Sequence, residues 1–352
     1  MTQQTTLITG GAGFVGSNLA NRLLSQGRHV RILDNLSRPG VEQNLQWLRQ
    51  QHGNLLEFER ADVRDAAAVK DAMAGVQQVF HFAAQVAVTT SLEDPREDFE
   101  VNALGTLNVL EAARARPVAP GVILTSTNKV YGGLEDLQLS VQGQRYLPVD
   151  PQVAASGIGE DRPLDFHSPY GCSKGTADQY VVDYARSYGL TTLVFRMSCI
   201  YGPRQFGTED QGWVAHFILR ALRGERITLY GDGMQVRDAL HVSDAVSAWL
   251  AALDRIELVR GRVFNLGGGP ANALSLVELV ERIASATGRR PAMKHADWRT
   301  GDQRWYVSDT RRFREATGWH ARVGVDEGLK RLGDWLIQLH ATRPPLVEEA
   351  RG

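Results

Sequence analysis

Residues 5–16 read Thr-Thr-Leu-Ile-Thr-Gly-Gly-Ala-Gly-Phe-Val-Gly. A short β-branched and aliphatic run passes into a glycine-rich turn and then into a helix-forming stretch. Gly10 permits the tight turn, Gly13 lets the backbone approach a pyrophosphate, and Gly16 allows the helix to pack closely on the strand. A diphosphate would sit at the positive helix N-terminus. Glycines alone are a weak signal, because any strand-to-helix turn uses them. The next strand supplies the context. It ends at Asp34, 18 residues after Gly16, where a carboxylate can bind both ribose hydroxyls and would repel a 2′-phosphate. NAD is therefore expected over NADP, with Arg38 the residue that argues the other way. Asp62 and Val63, at the end of a third strand, are placed to meet the adenine.

Working outward, the first two thirds of the chain alternate apolar runs with amphipathic stretches. Strands are expected at Thr5–Thr9, His29–Leu33, Leu55–Glu59, Val79–Phe82, Gly121–Thr125 and Thr191–Phe195, and helices at Phe14–Gln26 and Arg96–Ala115. Continuous apolar strands separated by helices indicate a parallel sheet covered on both faces. The expected fold is α/β: a Rossmann-type doubly wound parallel sheet over residues 1–196, with a returning segment near 234–262. A smaller α/β substrate-binding domain, mainly 197–342, would lie at its carboxyl edge, followed by a flexible tail at 343–352. Residues Gly133 to His167 form a connection too long for a routine loop, and such loops tend to be lids or binding loops.

Composition narrows the class. The 352 residues are 43% hydrophobic and 22% charged, ordinary globular usage. Lysine and arginine number 39 against 40 acidic residues, which gives no electrostatic reason to expect nucleic acid or an anionic membrane. No apolar run approaches the roughly 20 residues of a bilayer span, and the N-terminus lacks a charged, signal-like region. Two cysteines, Cys172 and Cys199, cannot build a disulfide framework and fit a reducing cytoplasm. The nine histidines include no HxxxH pair, so no protein-built metal site is expected.

Tyr170-Gly171-Cys172-Ser173-Lys174 places a phenol and an ammonium one helical turn apart on one face. A free tyrosine, with a pKa near 10, is a poor base at neutral pH. A nearby lysine and a nicotinium charge would both favour phenolate, so Tyr170 could accept the proton of a sugar hydroxyl as hydride leaves. Upstream, Thr125-Ser126-Thr127-Asn128-Lys129-Val130-Tyr131-Gly132 ends the fifth strand at the ligand-binding edge of the sheet. The Thr127 hydroxyl could share the substrate's proton with Tyr170. Cys172 lies on another face of that helix and is read as packing.

Taken together, GGAGFVG, Asp34, His81-Phe82-Ala83-Ala84, Thr127 four residues before Tyr131, YxxxK and Gly231 to Asp238 resemble the extended short-chain dehydrogenases/reductases of the nucleotide-sugar epimerase/dehydratase group. The resemblance runs from residue 7 to about 335 and implies the same fold, bound NAD and a nucleotide-diphosphate sugar substrate. By position it implies Gly10, Gly13, Phe14, Val15, Gly16, Asp34, Asn35, Ser37, Arg38, Asp62, Val63, Phe82, Ala83, Ala84, Tyr170 and Lys174 as cofactor-binding residues. Thr127, Tyr170 and Lys174 are implied as catalytic. Gln85, Thr127, Asn128, Lys129, Arg204, Gln205, Arg237 and Arg304 are implied as substrate-binding, the last two at the diphosphate. Family members are often homodimers built on the Arg96–Ala115 and Pro169–Tyr188 helices, so a homodimer or higher homo-oligomer is expected.

The sugar 4,6-dehydratases of the group resemble the chain up to Thr127 but then carry an acid that protonates the departing 6-hydroxyl. Here the next pair is Asn128-Lys129, and a neutral amide cannot do this. What remains is oxidation to a ketone, reorientation, and return of hydride to the other face, with residues 133–167 expected to exclude water. Residues 125–132, 164–175 and 201–214 resemble the branch that inverts C2 of a cytidine-diphosphate hexose, and Arg204–Trp213 is expected to set which carbon faces the nicotinamide. A 4-epimerase of a UDP-hexose or UDP-uronic acid shares every catalytic residue. A non-catalytic dinucleotide sensor on the same fold would be expected to lack the Tyr/Lys pair.

Overall fold

A computed structural model describes residues 5–341. Seven strands form one sheet in the spatial order Arg262–Leu266, Thr192–Met197, Gly121–Thr127, Val76–His81, Thr5–Thr9, His29–Leu33 and Leu56–Glu59. Every pairing is parallel, so all seven carboxyl ends open on one edge. From Thr5–Thr9 the chain steps outward twice, then crosses back to Val76–His81 on the other side. The crevice between those two strands is the switch point at which such sheets bind ligands.

The glycine turn is made as its residues dictate. Gly10 has φ +67°, and a Cβ there would lie 2.7 Å from the Ala83 nitrogen. A Cβ on Gly16 would lie 2.4 Å from the Gly10 carbonyl oxygen, so this helix can pack against its turn only through glycine. Helix Phe14–Ser25 then buries Leu19, Ala20, Leu23 and Leu24 at helical spacing. The stretch expected as one helix from Arg96 to Ala115 is instead Pro95–Phe99, a π-turn at Glu100–Leu104, and Gly105–Arg114. Asn102 lies in the wider turn. Its amide reaches Asp98 Oδ1 at 3.1 Å and Ser173 Oγ at 3.0 Å.

The second layer is built on strands Cys199–Tyr201, Val236–His241, Ala273–Ser275 and Trp305–Tyr306. Helices Trp213–Arg223, Leu276–Thr287 and Val325–Ala341 close on Phe217, Ile218, Leu229, Leu279 and Leu332. Between these elements the chain returns to the first layer. Helix Val242–Asp254 inserts the fully buried Trp249 against Phe82, with ring centroids 4.8 Å apart. Strand Arg262–Leu266 then completes the large sheet, a seventh strand the sequence reading did not anticipate.

Residues 133–167 are not a lid. They form a hairpin, Leu139–Gln142 with Arg145–Pro148, and a short helix, Pro151–Ser156, and none of them lines the cavity described below. Arg145 pairs with Glu278 at 2.6 Å, Tyr146 bonds Asp232, and the Ile158 nitrogen donates to the Val307 carbonyl at 2.7 Å. The segment is fastened to both layers, since Asn265 of strand Arg262–Leu266 donates to Glu160 Oε1 and to the Ile158 carbonyl, each at 2.8 Å, and it packs with Val130, Tyr131, Trp305 and Tyr306.

A buried ion pair locks the elements that carry Tyr170 and Thr127 together. Arg196 donates Nε and a terminal nitrogen to the two oxygens of Asp178, both at 2.9 Å, and donates to the Tyr131 hydroxyl at 3.1 Å. Tyr131 in turn donates to Asn265 Oδ1 at 2.8 Å. Removing one member of such a pair leaves an uncompensated buried charge. The helix carrying Tyr170, the turn after Thr127 and the last two strands therefore hold one geometry.

Candidate active site

A cavity of about 1000 Å³ runs along the carboxyl edge between the two layers. At one end Gly10, Gly13, Phe14 and Val15 face it, followed by Asp34, Asn35, Ser37, Arg38, Asp62 and Val63, and then Phe82, Ala83 and Ala84. Gly16 lies behind, packing helix on turn. Asp34 Oδ2 accepts from the Ala12 nitrogen at 3.0 Å and Oδ1 from the Leu36 nitrogen at 2.9 Å. Burial raises its pKa, and backbone bonds together with the Arg38 charge oppose that shift. The Asp62 carboxylate, placed by sequence against the adenine, is already engaged. Arg64 holds it at 2.9 and 3.0 Å and Asn35 at 2.8 Å, and the Arg64 hydrogen bonds bring its pKa down to about 2.

At the middle stand Thr127, Tyr170 and Lys174. Tyr170 is buried, which pushes its phenol up to about 12; the Thr127 hydroxyl, hydrogen-bonded to it, and the Arg38 charge act the other way. Lys174 Nζ donates to the Thr125 carbonyl at 2.7 Å. Burial lowers its pKa to about 8, against the charges of Asp178 and Asp98. The sequence reading sets a nearby lysine to favour the phenolate; in the structure Lys174 Nζ bonds the Thr125 carbonyl and braces the strand end, while the Thr127 hydroxyl and the Arg38 charge act on the phenol. Gln85 lines the cavity beside them and donates to Asp98 at 3.0 Å. Cys172, expected in packing, is an exposed free thiol.

Asn128, Lys129, Gln205 and Arg237 line the far half. Asn128 is buried and donates to Gln303 Oε1 at 3.0 Å. Lys129 Nζ donates to the Gly301 carbonyl at 2.8 Å, and burial lowers its pKa to about 8, helped by Arg237. Arg237 lies 3.8 Å from Asp302. Two expected residues are elsewhere. Arg304 is exposed, over the rings of Tyr146 and Trp298, because the chain alternates on entering strand Trp305–Tyr306 and Gln303 takes the inward position. Arg204, with φ +74°, lies 3.8 Å over Trp47 in a separate shallow depression of about 430 Å³. It cannot select the carbon that meets the nicotinamide.

The sequence reading missed Arg299, which lines the far half with Glu209, Asp210, Thr228 and Tyr230. Its guanidinium lies 3.7 Å over the Tyr230 ring and 3.3 Å from Asp210. The one available signal was a second arginine in the Arg299-Thr-Gly-Asp-Gln-Arg304 stretch, on the other side of the Gly301 turn, where φ is +76°.

Residues 6–267 match the NAD dependent epimerase/dehydratase family. The chain belongs to that family. It is 44% identical over 336 residues to the CDP-paratose 2-epimerase of Salmonella typhi, covering 94% of this chain and 98% of that protein. Among solved structures it is similar to the Thermotoga maritima UDP-glucose 4-epimerase with UDP-glucose, at 31% identity and TM-score 0.82, covering 96% of this chain and 100% of that one. It is likewise similar to the Thermus thermophilus UDP-glucose 4-epimerase complex with NAD, at 33% identity and TM-score 0.79, covering 95% and 99%. The protein is an NAD-dependent nucleotide-sugar epimerase with a Rossmann-type fold.

The cradle of the epimerase fits its cofactor. At Gly10 and Gly16 a Cβ would enter backbone already in contact. The first turn of helix Phe14–Ser25 faces the cavity, where its unpaired N–H groups and dipole suit a diphosphate. Asp34 stands at the end of the second strand, as a ribose diol requires.

Proposed function

We propose that the epimerase inverts C2 of a nucleotide-diphosphate hexose, converting CDP-paratose to CDP-tyvelose or acting on a related sugar. The observation that carries epimerisation over dehydration is the Asn128 amide, fixed by Gln303 at the place where a dehydratase needs an acid. The similarity to a CDP-paratose 2-epimerase over nearly the whole chain supports the C2 assignment.

NAD, held by Asp34 and the glycine turn, would supply reversible hydride chemistry at the carbinol carbon, so inversion would need no outside reductant. Tyr170 takes the hydroxyl proton during oxidation and gives it back during reduction. Thr127, hydrogen-bonded to the phenol, shares that proton and favours the phenolate. Lys174 holds the carbonyl of Thr125, two residues before Thr127, and so sets the position of the hydroxyl. Asp34 with the glycine turn binds the dinucleotide. Arg237 and Arg299 supply charge for the sugar nucleotide's diphosphate.

Both cysteines are free thiols, which supports a cytoplasmic setting. Phe99, Leu104, Tyr180 and Tyr188 are exposed on the Pro95–Arg114 and Ser168–Tyr188 segments, which supports a homodimer formed there.

Proton NMR of purified protein without added NAD, incubated with CDP-paratose and with CDP-, UDP- and GDP-glucose, tests the reaction. Altered H1–H2 and H2–H3 couplings are the expected result. Inversion at H4 with H2 unchanged would move the protein to the 4-epimerases.

A further inference from the structure

The end of the cavity remote from Asp34 has a polarity that bears on which base the substrate carries, given the reading that this cavity takes a nucleotide-diphosphate sugar. With the sugar at Tyr170 and the diphosphate on Arg237 and Arg299, the base must lie past the arginines. There Thr228 and Tyr230, on the strand Ile227–Tyr230, share the wall with Glu209. The Tyr230 hydroxyl donates to Glu209 Oε1 at 2.8 Å, and the Thr228 hydroxyl donates to the same carboxylate. Both hydroxyl protons are therefore turned away from any ligand. Arg299, the nearby cation, donates to the Glu209 carbonyl at 3.3 Å and pairs with Asp210 at 3.3 Å. An ionised carboxylate has about four lone-pair positions, so Glu209 retains acceptor capacity after both hydroxyls are served.

That wall presents acceptors. Cytosine carries a 4-amino group, which donates. Uracil and thymine carry a 4-carbonyl, which would set its lone pairs against those of the carboxylate. We propose that Glu209 is a specificity-determining residue that reads the nucleobase, accepting from the 4-amino group of a cytidine diphosphate sugar and rejecting uridine and thymidine. The Tyr230 and Thr228 hydroxyls hold the carboxylate in place for this.

CDP and UDP differ at the base only at C4 and the adjoining N3, an acceptor in cytosine and an N–H donor in uracil, so their dissociation constants, measured by calorimetry on the NAD-loaded full chain, form the test. Wild-type protein is expected to bind CDP about 10- to 100-fold more tightly than UDP, the span of one charge-assisted hydrogen bond lost. Glu209→Gln, whose amide can donate to a 4-carbonyl, is expected to bring the two within about threefold, while Asp210→Asn keeps the wild-type ratio. Equal binding of CDP and UDP by wild-type protein overturns the proposal, even if no variant folds. So does an unchanged ratio in a folded Glu209→Gln protein, or a ratio lost in Asp210→Asn instead. The two readings fail separately: inversion of a CDP-sugar at C4 removes the C2 assignment and leaves Glu209 as base reader, whereas C2 inversion with no preference for CDP does the reverse.

Discussion

The Asn128 side chain donates to Gln303 Oε1 at 3.0 Å, and Gln303 Nε2 donates to the Gly132 carbonyl at 2.7 Å. One buried glutamine thus fixes both the amide after Thr127 and the turn that follows it. Asn128→Asp would set a carboxylate against the Gln303 oxygen, or force that amide to flip and abandon Gly132. The variant is expected to lose about 1–3 kcal/mol of stability, read as a lower midpoint in thermal or urea unfolding. An unchanged midpoint would show that Gln303 does not clamp this position.

Tyr170 is the base in the proposed reaction. Tyr170→Phe should fold, retain NAD and lose turnover by roughly 10²–10⁴-fold; near-normal turnover would remove the mechanism. Thr127 works in the opposite sense to burial, lowering the phenol's pKa. Without its hydroxyl the pKa rises, so in Thr127→Val the acid limb of the kcat–pH profile is expected to move to higher pH. A limb that stays in place or moves to lower pH would contradict this.

Asp34 both faces the glycine-turn end of the cavity, where the ribose is proposed to lie, and ties down the Ala12 and Leu36 nitrogens. Asp34→Arg is expected to weaken NAD, favour NADP, and cost about 1–3 kcal/mol of stability from the lost backbone bonds. Cofactor titration and thermal unfolding separate the two effects. Unchanged preference between NAD and NADP would place the ribose elsewhere.

Three arginines divide by position. Arg237 and Arg299 line the cavity, whereas Arg304 stands outside it on Tyr146 and Trp298. Arg237→Ala and Arg299→Ala are each expected to raise KM tenfold or more, since charge-assisted bonds contribute about 1.5–3 kcal/mol. Arg304→Ala should leave KM within about twofold. Steady-state kinetics with the sugar nucleotide decide, and the reverse ranking would mean the diphosphate lies on the other side of the Gly301 turn.

Leu104 and Phe99 are 37% and 54% exposed on the face assigned to dimer contact. Phe99→Asp together with Leu104→Asp is expected to yield monomers in sedimentation velocity, with the fold kept by circular dichroism. A double variant that remains dimeric would place the contact on another surface, and a wild-type protein that sediments as a monomer would remove the dimer.

The sequence was most informative where local sterics and chain periodicity coincide. The Gly10 turn, the strand ending at Asp34 and the Tyr170–Lys174 spacing are constraints met within a few residues, and the structure brings all of them to one cavity. Arg204 and Arg304 were misplaced because their directions are set by distant packing. Trp47 and Trp335 flank the first, and buried Gln303 forces the second outward. The seventh strand went unnoticed for a related reason: only five residues lie between Gly261 and Gly267, and their partners at 192–197 are far away in sequence. The long 133–167 segment reads as a loop by composition, yet Arg145, Tyr146 and Ile158 find Glu278, Asp232 and Val307 from across the chain.

The return of helix Val242–Asp254 and strand Arg262–Leu266 to the first layer has a bearing on recombination. A chimaera made by joining residues before 197 to the remainder of a relative would import a foreign counterpart of Trp249 into the contact with Phe82 and a foreign seventh strand beside Thr192–Met197. Exchange of substrate walls between relatives therefore calls for two inserts, one ending before Val242 and one beginning after Leu266. Evolution by whole-domain shuffling is correspondingly hindered in this architecture, and changes of sugar or base are expected to arise by point substitution within the walls.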